Sequence, residues 1–166
     1  MSASRTRFFA IAALCLAAVA AALIAQYRFD MQPCPWCVRQ RLIFIAIAVA
    51  ALLGAVWDAR AGRLMAGAIA AAIAAALAAA LAAAGMAAAL WQHFVAASAA
   101  SCDLTLAERI VSALGLDERW PEVFSAFASC RDAAVNVFGV PFEFYSLALF
   151  ALIAATAVSL LRRSTQ

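Results

Sequence analysis

The sequence predicts an all-α membrane protein. It is a four-helix transmembrane bundle with both termini inside and a short amphipathic interfacial helix in the second outer loop. Three observations carry this reading. First, 69% of the 166 residues are hydrophobic and 13% are charged, against about half and a quarter in soluble domains. A soluble chain of this size has no interior large enough to hide that apolar surface. Second, apolar runs cover about 8–26, 42–57, 64–91 and 142–161, and a spanning helix needs roughly 20 residues. Only helices and closed barrels satisfy their backbone in lipid. Third, Arg5 and Arg7 precede the first run, Arg60 and Arg63 separate the second from the third, and Arg162 and Arg163 follow the last. Basic residues in short loops mark the cytoplasmic side.

The first helix, about 8–26, begins like a secretory leader, but its apolar core exceeds the roughly 7–15 residues of a leader's middle region. It is expected to be retained. The second reaches spanning length if it starts near Pro35 and runs about 36–57, carrying Arg39 and Arg41 at the interface. The third, about 64–91, is overlong, so it tilts or projects beyond the lipid. Its "AAIAAALAAALAAAG" permits close helix approach, yet small residues recur in nearly every register and specify no face. The fourth covers about 142–161. Tyr27, Trp57 and Trp91 fall at run ends, where interfacial aromatics belong. The whole chain, 1–166, reads as one integral membrane domain with outer loops at about 27–35 and 92–141.

Within the second loop, "TLAERIVSALG" predicts the short helix. Thr105 and Glu108 form a capping box, and Gly115 can close the C-terminus. Leu104, Ala107, Ile110, Val111 and Leu114 share a face. The helix is expected along the membrane surface with Glu108, Arg109 and Ser112 toward water; the alternative is packing against the first loop.

Five cysteines remain to be placed. Cys15, in mid-membrane, reads as a small hydrophobe. Cys34, Cys37, Cys102 and Cys130 all fall on the outer, oxidising side, which makes them disulfide candidates. Four cysteines allow three pairings, and the sequence does not choose among them. A zinc site usually shows two short cysteine knuckles, and only 34/37 has that spacing, so no metal is expected. A C-x-x-C bridge closes a very short loop and constrains the unfolded chain little; exchange suits it better than stapling. Pro33 and Pro35 favour a helix start, whose N–H groups and dipole stabilise a thiolate. Arg41 lies four residues beyond Cys37, on the same face. It can stabilise the thiolate or donate to an electron acceptor near the sulfur. Snorkelling to the headgroups fits Arg39 better.

These residues, with "WQHF", "ASCDL", "RWPEVF", "SCRD" and "FGVPFEFYSLALF" in a four-helix profile, resemble the bacterial disulfide-bond formation protein B (DsbB) family over nearly the whole chain. The resemblance implies an inner-membrane, quinone-dependent thiol oxidase. Such an enzyme reoxidises a periplasmic DsbA-type oxidant and passes two electrons to a membrane quinone, ubiquinone or menaquinone. By analogy the partner's thiolate attacks Cys102, the Cys102–Cys130 pair is reduced, and electrons reach Cys34–Cys37 through a Cys34–Cys130 bridge. Cys37 then faces the quinone, Arg41 holds or polarises its oxygen, and Gln92 and His93 match a pair near the quinone site. A DsbA-type protein has a known potential of about −120 mV, and an acceptor roughly 100 mV more positive supplies about 4–5 kcal/mol.

Two features depart from the family pattern. Trp36 replaces a smaller leucine in C-P-x-C; it packs on the quinone, gates access to it, or anchors the helix. The 102–130 spacing is also slightly long. For His93 an alternative is an interfacial histidine bonded to a carbonyl. Competing readings of the whole chain are a scaffold with purely structural loop disulfides, an oxidoreductase for another thiol partner, or one run reductively like vitamin K epoxide reductase. Membrane lipid is an expected partner and nucleic acid is not.

Overall fold

The computed structural model describes residues 3–61, 65–96 and 106–164. Cys102 and the Thr105–Glu108 cap lie outside what it describes. Four long helices form an all-α bundle: α1 (Ala3–Phe29), α2 (Pro35–Ala61), α3 (Met65–Trp91) and, after the loop elements, α7 (Phe142–Ser164). All four are long and apolar enough to cross a membrane. Large apolar side chains point outward along them, among them Leu16, Leu53, Ile69, Ile73, Leu77 and Leu152. A surface of that kind is stable in lipid and costly in water.

Consecutive helices pack on one another: α1 on α2, α2 on α3, and α3 on α7. Glycine permits the closest approaches. The Phe8 ring sits where a side chain on Gly54 would go, and the Phe150 ring does the same at Gly85. Phe44 stacks on Phe150 at 4.1 Å, which locks α2 to α7 across the core. Ala74, Ala75, Ala78 and Ala82 form the buried stripe of α3. Contact between α1 and α7 is much shorter. Arg7 ties them near the termini by donating to Ser159 Oγ at 3.1 Å. Toward the opposite end a cavity opens between them.

The described residues between α3 and α7 fold over that opposite end. Trp91 leads into a π-helical turn, Gln92–Ala96. Three short helices follow, α4 (Leu106–Ala113), α5 (Leu116–Arg119) and α6 (Pro121–Phe124). Gly115, with φ of 61°, separates α4 from α5, as its freedom in the left-handed region allows. The apolar face foreseen for α4 is divided. Val111 is buried against Val38 and Phe124, whereas Leu114 is exposed, and Ser112 donates to Asp117 Oδ2 at 2.6 Å. A small antiparallel hairpin, β1 (Asn136–Val137) and β2 (Val140–Pro141), precedes α7. Its turn residues Phe138 and Gly139 both have positive φ, 50° and 80°. Two positive-φ residues give the twist a two-residue hairpin requires.

Candidate functional site

The site is built at the start of α2. Asp30, with φ of 51°, ends α1, and Pro33–Pro35 carries the chain straight into the next helix. Pro35 occupies the first helical position, where its missing N–H costs nothing. Cys34 therefore stands at the cap. Its carbonyl accepts the Val38 N–H at 3.0 Å, and its sulfur accepts the Cys37 N–H at 3.4 Å. The two sulfurs lie 3.0 Å apart, close enough that only a small rotation is needed to join them once two electrons and two protons are removed.

Cys130 reaches the same place from the other loop. The Pro33 carbonyl accepts N–H groups from Phe127 at 2.9 Å and Ala128 at 3.2 Å. This clasp brings Cys130 to hydrogen-bond Cys34, so Cys34 touches both Cys37 and Cys130. Those two hydrogen bonds, Cys130's first, together with burial, hold the Cys34 thiol well above the ordinary thiol range. Cys15 is buried elsewhere, in the core of the bundle beside Phe8 and Ile11.

Arg41 is buried rather than snorkelling, at 5% exposure. Its Nη1 donates to Gln26 Oε1 at 2.9 Å and, more weakly, to the carbonyls of Glu122 and Val123 at 3.3 and 3.4 Å. Its Nη2 donates to the Ala22 carbonyl at 3.4 Å. One guanidinium thus joins α1, α2 and α6. Gln92, also buried, is aimed back at the cysteines. Its Nε2 donates to Cys37 Sγ at 3.5 Å, while its Oε1 accepts from Gln40 Nε2 at 2.8 Å. His93, the next residue, turns the other way. Its Nδ1 lies 2.6 Å from Glu143 Oε1, with Glu143 buried in the first turn of α7. Phe94 and Phe144 meet the imidazole edge-on.

A cavity of about 330 Å³ adjoins these groups. Cys37, Arg41, Gln92 and Glu143 line its polar part, and α1 alanines with Phe142 and Leu149 of α7 line the rest. Volume and mixed lining fall within the range of small-ligand sites. Trp36 is not part of that wall; its ring packs on Trp91 at 6.3 Å, and Arg39 sits over it at 4.8 Å.

Of the residues singled out from sequence, Cys34, Cys37, Cys130, Arg41 and Gln92 converge. His93 stands behind Glu143 at the edge. The sequence reading missed Gln26, Gln40 and Glu143. Glu143 had a signal, since an isolated carboxylate at the head of an apolar run is costly without use or partner.

A sulfur cluster at one end of a four-helix membrane bundle, beside an apolar cavity, defines a membrane thiol oxidoreductase. Comparison with known proteins gives the family. The profile described as "Disulfide bond formation protein DsbB" matches residues 4–160. Disulfide bond formation protein B of Burkholderia pseudomallei (strain 1106a) is 36% identical over 155 residues, covering 92% of this chain and 86% of the relative. That of Cupriavidus metallidurans is 32% identical over 162 residues, covering 96% and 94%. That of Dechloromonas aromatica is 33% identical over 153 residues, covering 90% and 87%. The chain belongs to the DsbB family of disulfide bond formation proteins, multi-pass membrane oxidoreductases that generate disulfides.

Proposed function

We propose that the chain is a thiol:quinone oxidoreductase of a bacterial inner membrane, with both termini cytoplasmic and its cysteine cluster on the periplasmic side. It reoxidises a DsbA-type thiol oxidant and delivers the electrons to a membrane quinone. The observation that carries this reading is Cys34, whose sulfur touches both Cys130 and Cys37 while Cys37 faces the cavity.

In this account a partner thiolate attacks Cys102 of a Cys102–Cys130 disulfide, and Cys130 leaves. The second partner thiol then attacks the sulfur of the partner's own first cysteine, with Cys102 as leaving group, so the partner departs oxidised and Cys102 is released. Cys130 exchanges with the Cys34–Cys37 disulfide at Cys34, its neighbour, and Cys37 leaves as thiolate. Gln92 stabilises that thiolate by donating to it, and Arg41 adds positive charge on the same face. Attack of Cys102 on Cys130 restores the outer disulfide and frees Cys34. Cys34 and Cys37 now hold the two electrons that came from the partner.

The cavity suits a quinone. It has an apolar flank between α1 and α7, open to an isoprenoid tail, and donors at the Cys37 end. A quinone bound there would supply the two-electron, two-proton acceptor needed for Cys34 and Cys37 to regain their disulfide; Arg41 would hold its oxygen, and Gln92 would keep Cys37 oriented. The net change is partner dithiol plus quinone to partner disulfide plus quinol.

The test is anaerobic. The purified protein is mixed with excess reduced DsbA-type partner and a short-chain quinone. The proposal expects one quinol per partner disulfide, and none from Cys37→Ser. No quinol from the natural protein, with a competent partner, would overturn it and favour a scaffold with structural disulfides.

A further inference from the structure

We propose that His93 and Glu143 are the proton entry to the cavity: Glu143 gives a proton to the bound quinone and His93 replaces it from water. The inference rests on the quinone reading above and adds to it the source of a proton.

The chemistry sets the need. Oxidising the two thiols to a disulfide releases two electrons and two protons, and a quinone takes up two of each. By the exchange sequence above, Cys37 arrives as a thiolate, and the proton that belongs with its electrons was left on the aqueous side when the partner's thiol ionised. At least one proton must therefore return by another route to an oxygen inside an apolar cavity.

Few lining groups can carry it. Arg41 does not release a proton in proteins. Gln32, Gln40 and Gln92 are amides, Ser146 is an alcohol with no acidic proton near neutral pH, and Tyr145 commits its hydroxyl to the Val137 carbonyl at 2.8 Å. Cys37 is the electron donor. From α1 the wall presents Ala18, Val19, Ala21, Ala22 and Ala25, none of which titrates. Among the described lining residues Glu143 is the one carboxyl, and Arg41 the one other charged group.

Glu143 is 6% exposed, so it does not exchange with water directly, whereas His93 is 32% exposed. At 2.6 Å a single proton lies between Nδ1 and Oε1, and either can be its donor. The imidazole passes that proton to the carboxylate as it takes one at Nε2 from water. Glu143 then donates to the quinone oxygen. The proton taken up replaces the one the partner's thiol left in water, so the sum stays dithiol plus quinone to disulfide plus quinol. A simple clamp between the π-helical turn and α7 would need neither the cavity-facing carboxyl nor the exposed imidazole.

The experiment compares the full-length protein with Glu143→Gln, Glu143→Asp and His93→Gln, using decylubiquinone as probe. Quinone binding, single-turnover quinol formation and redox-cycled infrared difference spectra are recorded. The proposal expects both glutamine variants to bind quinone as the natural protein does but to form quinol roughly 10²-fold more slowly, the low end for a lost general acid. Glu143→Asp recovers part of the rate. The natural protein shows a carboxyl band that changes on cycling. The band is lost in Glu143→Gln and kept in His93→Gln. Wild-type rates in both glutamine variants, or a carboxyl band unchanged by Glu143→Gln, would overturn the relay while leaving the quinone reading intact. No quinol from the natural protein would overturn both.

Discussion

Replacing Arg41 with methionine separates its two tasks. The side chain keeps its length and loses its charge and donors. The strongest bond lost is Nη1 to Gln26 Oε1 at 2.9 Å; the three carbonyl contacts, at 3.3–3.4 Å, are weaker. Gln26 is 6% exposed, so its oxygen is stranded without water. A buried unsatisfied acceptor costs about 1–3 kcal/mol. For a chain of this size each kcal/mol moves Tm by about 2–4 °C, so a drop of roughly 2–12 °C is expected. Removing a buried charge offsets part of this, which favours the lower end. In function the loss is one charge-assisted hydrogen bond to a quinone oxygen, about 1.5–3 kcal/mol, or roughly 10–150-fold in quinone KM. The double variant Arg41→Met with Gln26→Leu replaces both partners by apolar groups. It should regain most of the Tm and none of the quinone affinity. The assays are thermal unfolding in detergent and quinol formation against quinone concentration. If the double variant recovers the natural KM, Arg41 acts only as a clamp between α1 and α6, and its assignment to the quinone is wrong.

Gly54→Ala forces a Cβ to 2.5–2.9 Å from three Phe8 ring atoms; overpacking of this kind costs about 1–3 kcal/mol, and Phe8→Leu in the same chain should return part of the lost Tm. Trp36→Leu should leave quinone KM unchanged, because Trp36 packs on Trp91 and Arg39 rather than on the cavity, and should cost about 0.5–1.5 kcal/mol of stability as an aromatic pair is lost; a raised KM would return Trp36 to the quinone. In the reduced protein the Cys34 thiol is held high by Cys130, Cys37 and burial, so its alkylation, followed by mass spectrometry, should stay slow well above the ordinary thiol value of about 8.5. The sign for stability follows: the unfolded thiol ionises first, so this contribution is present below about pH 8.5 and is lost as pH rises past it. Rapid Cys34 alkylation at pH 8 would contradict the contact with Cys130.

What the sequence made legible was local. Run length and arginine placement sufficed for four helices, and the spacing from Cys34 to Arg41 sufficed to put both cysteines and the arginine at the start of α2. The packing face of α3 was not legible, because alanine in every register offers equal close approach. Phe150, resting on Gly85, and Phe44, stacked on Phe150, help set that face, and both come from other helices. The 136–141 hairpin escaped notice because its turn places Phe138, not Asn or Asp, in a positive-φ position before Gly139. Gln26, Gln40 and Glu143 escaped for another reason. Their partners Arg41, Gln92 and His93 lie 15, 52 and 50 residues away, and a pattern read along the chain contains no trace of such pairs. The clasp of Phe127 and Ala128 on the Pro33 carbonyl is of the same kind, since it uses backbone groups that any sequence supplies.

The central claim is that Cys34 is the switching sulfur between the outer cysteines and Cys37. The direct measurement is a disulfide map of the double variant Cys37→Ser with Cys102→Ser by mass spectrometry under non-reducing conditions, after one cycle of reduction and reoxidation. With Cys37 gone and no Cys102 to reclaim Cys130, Cys34 retains Cys130 as its contact, and a Cys34–Cys130 linked peptide is expected. Cys34 and Cys130 both recovered only as free thiols in every molecule would contradict it.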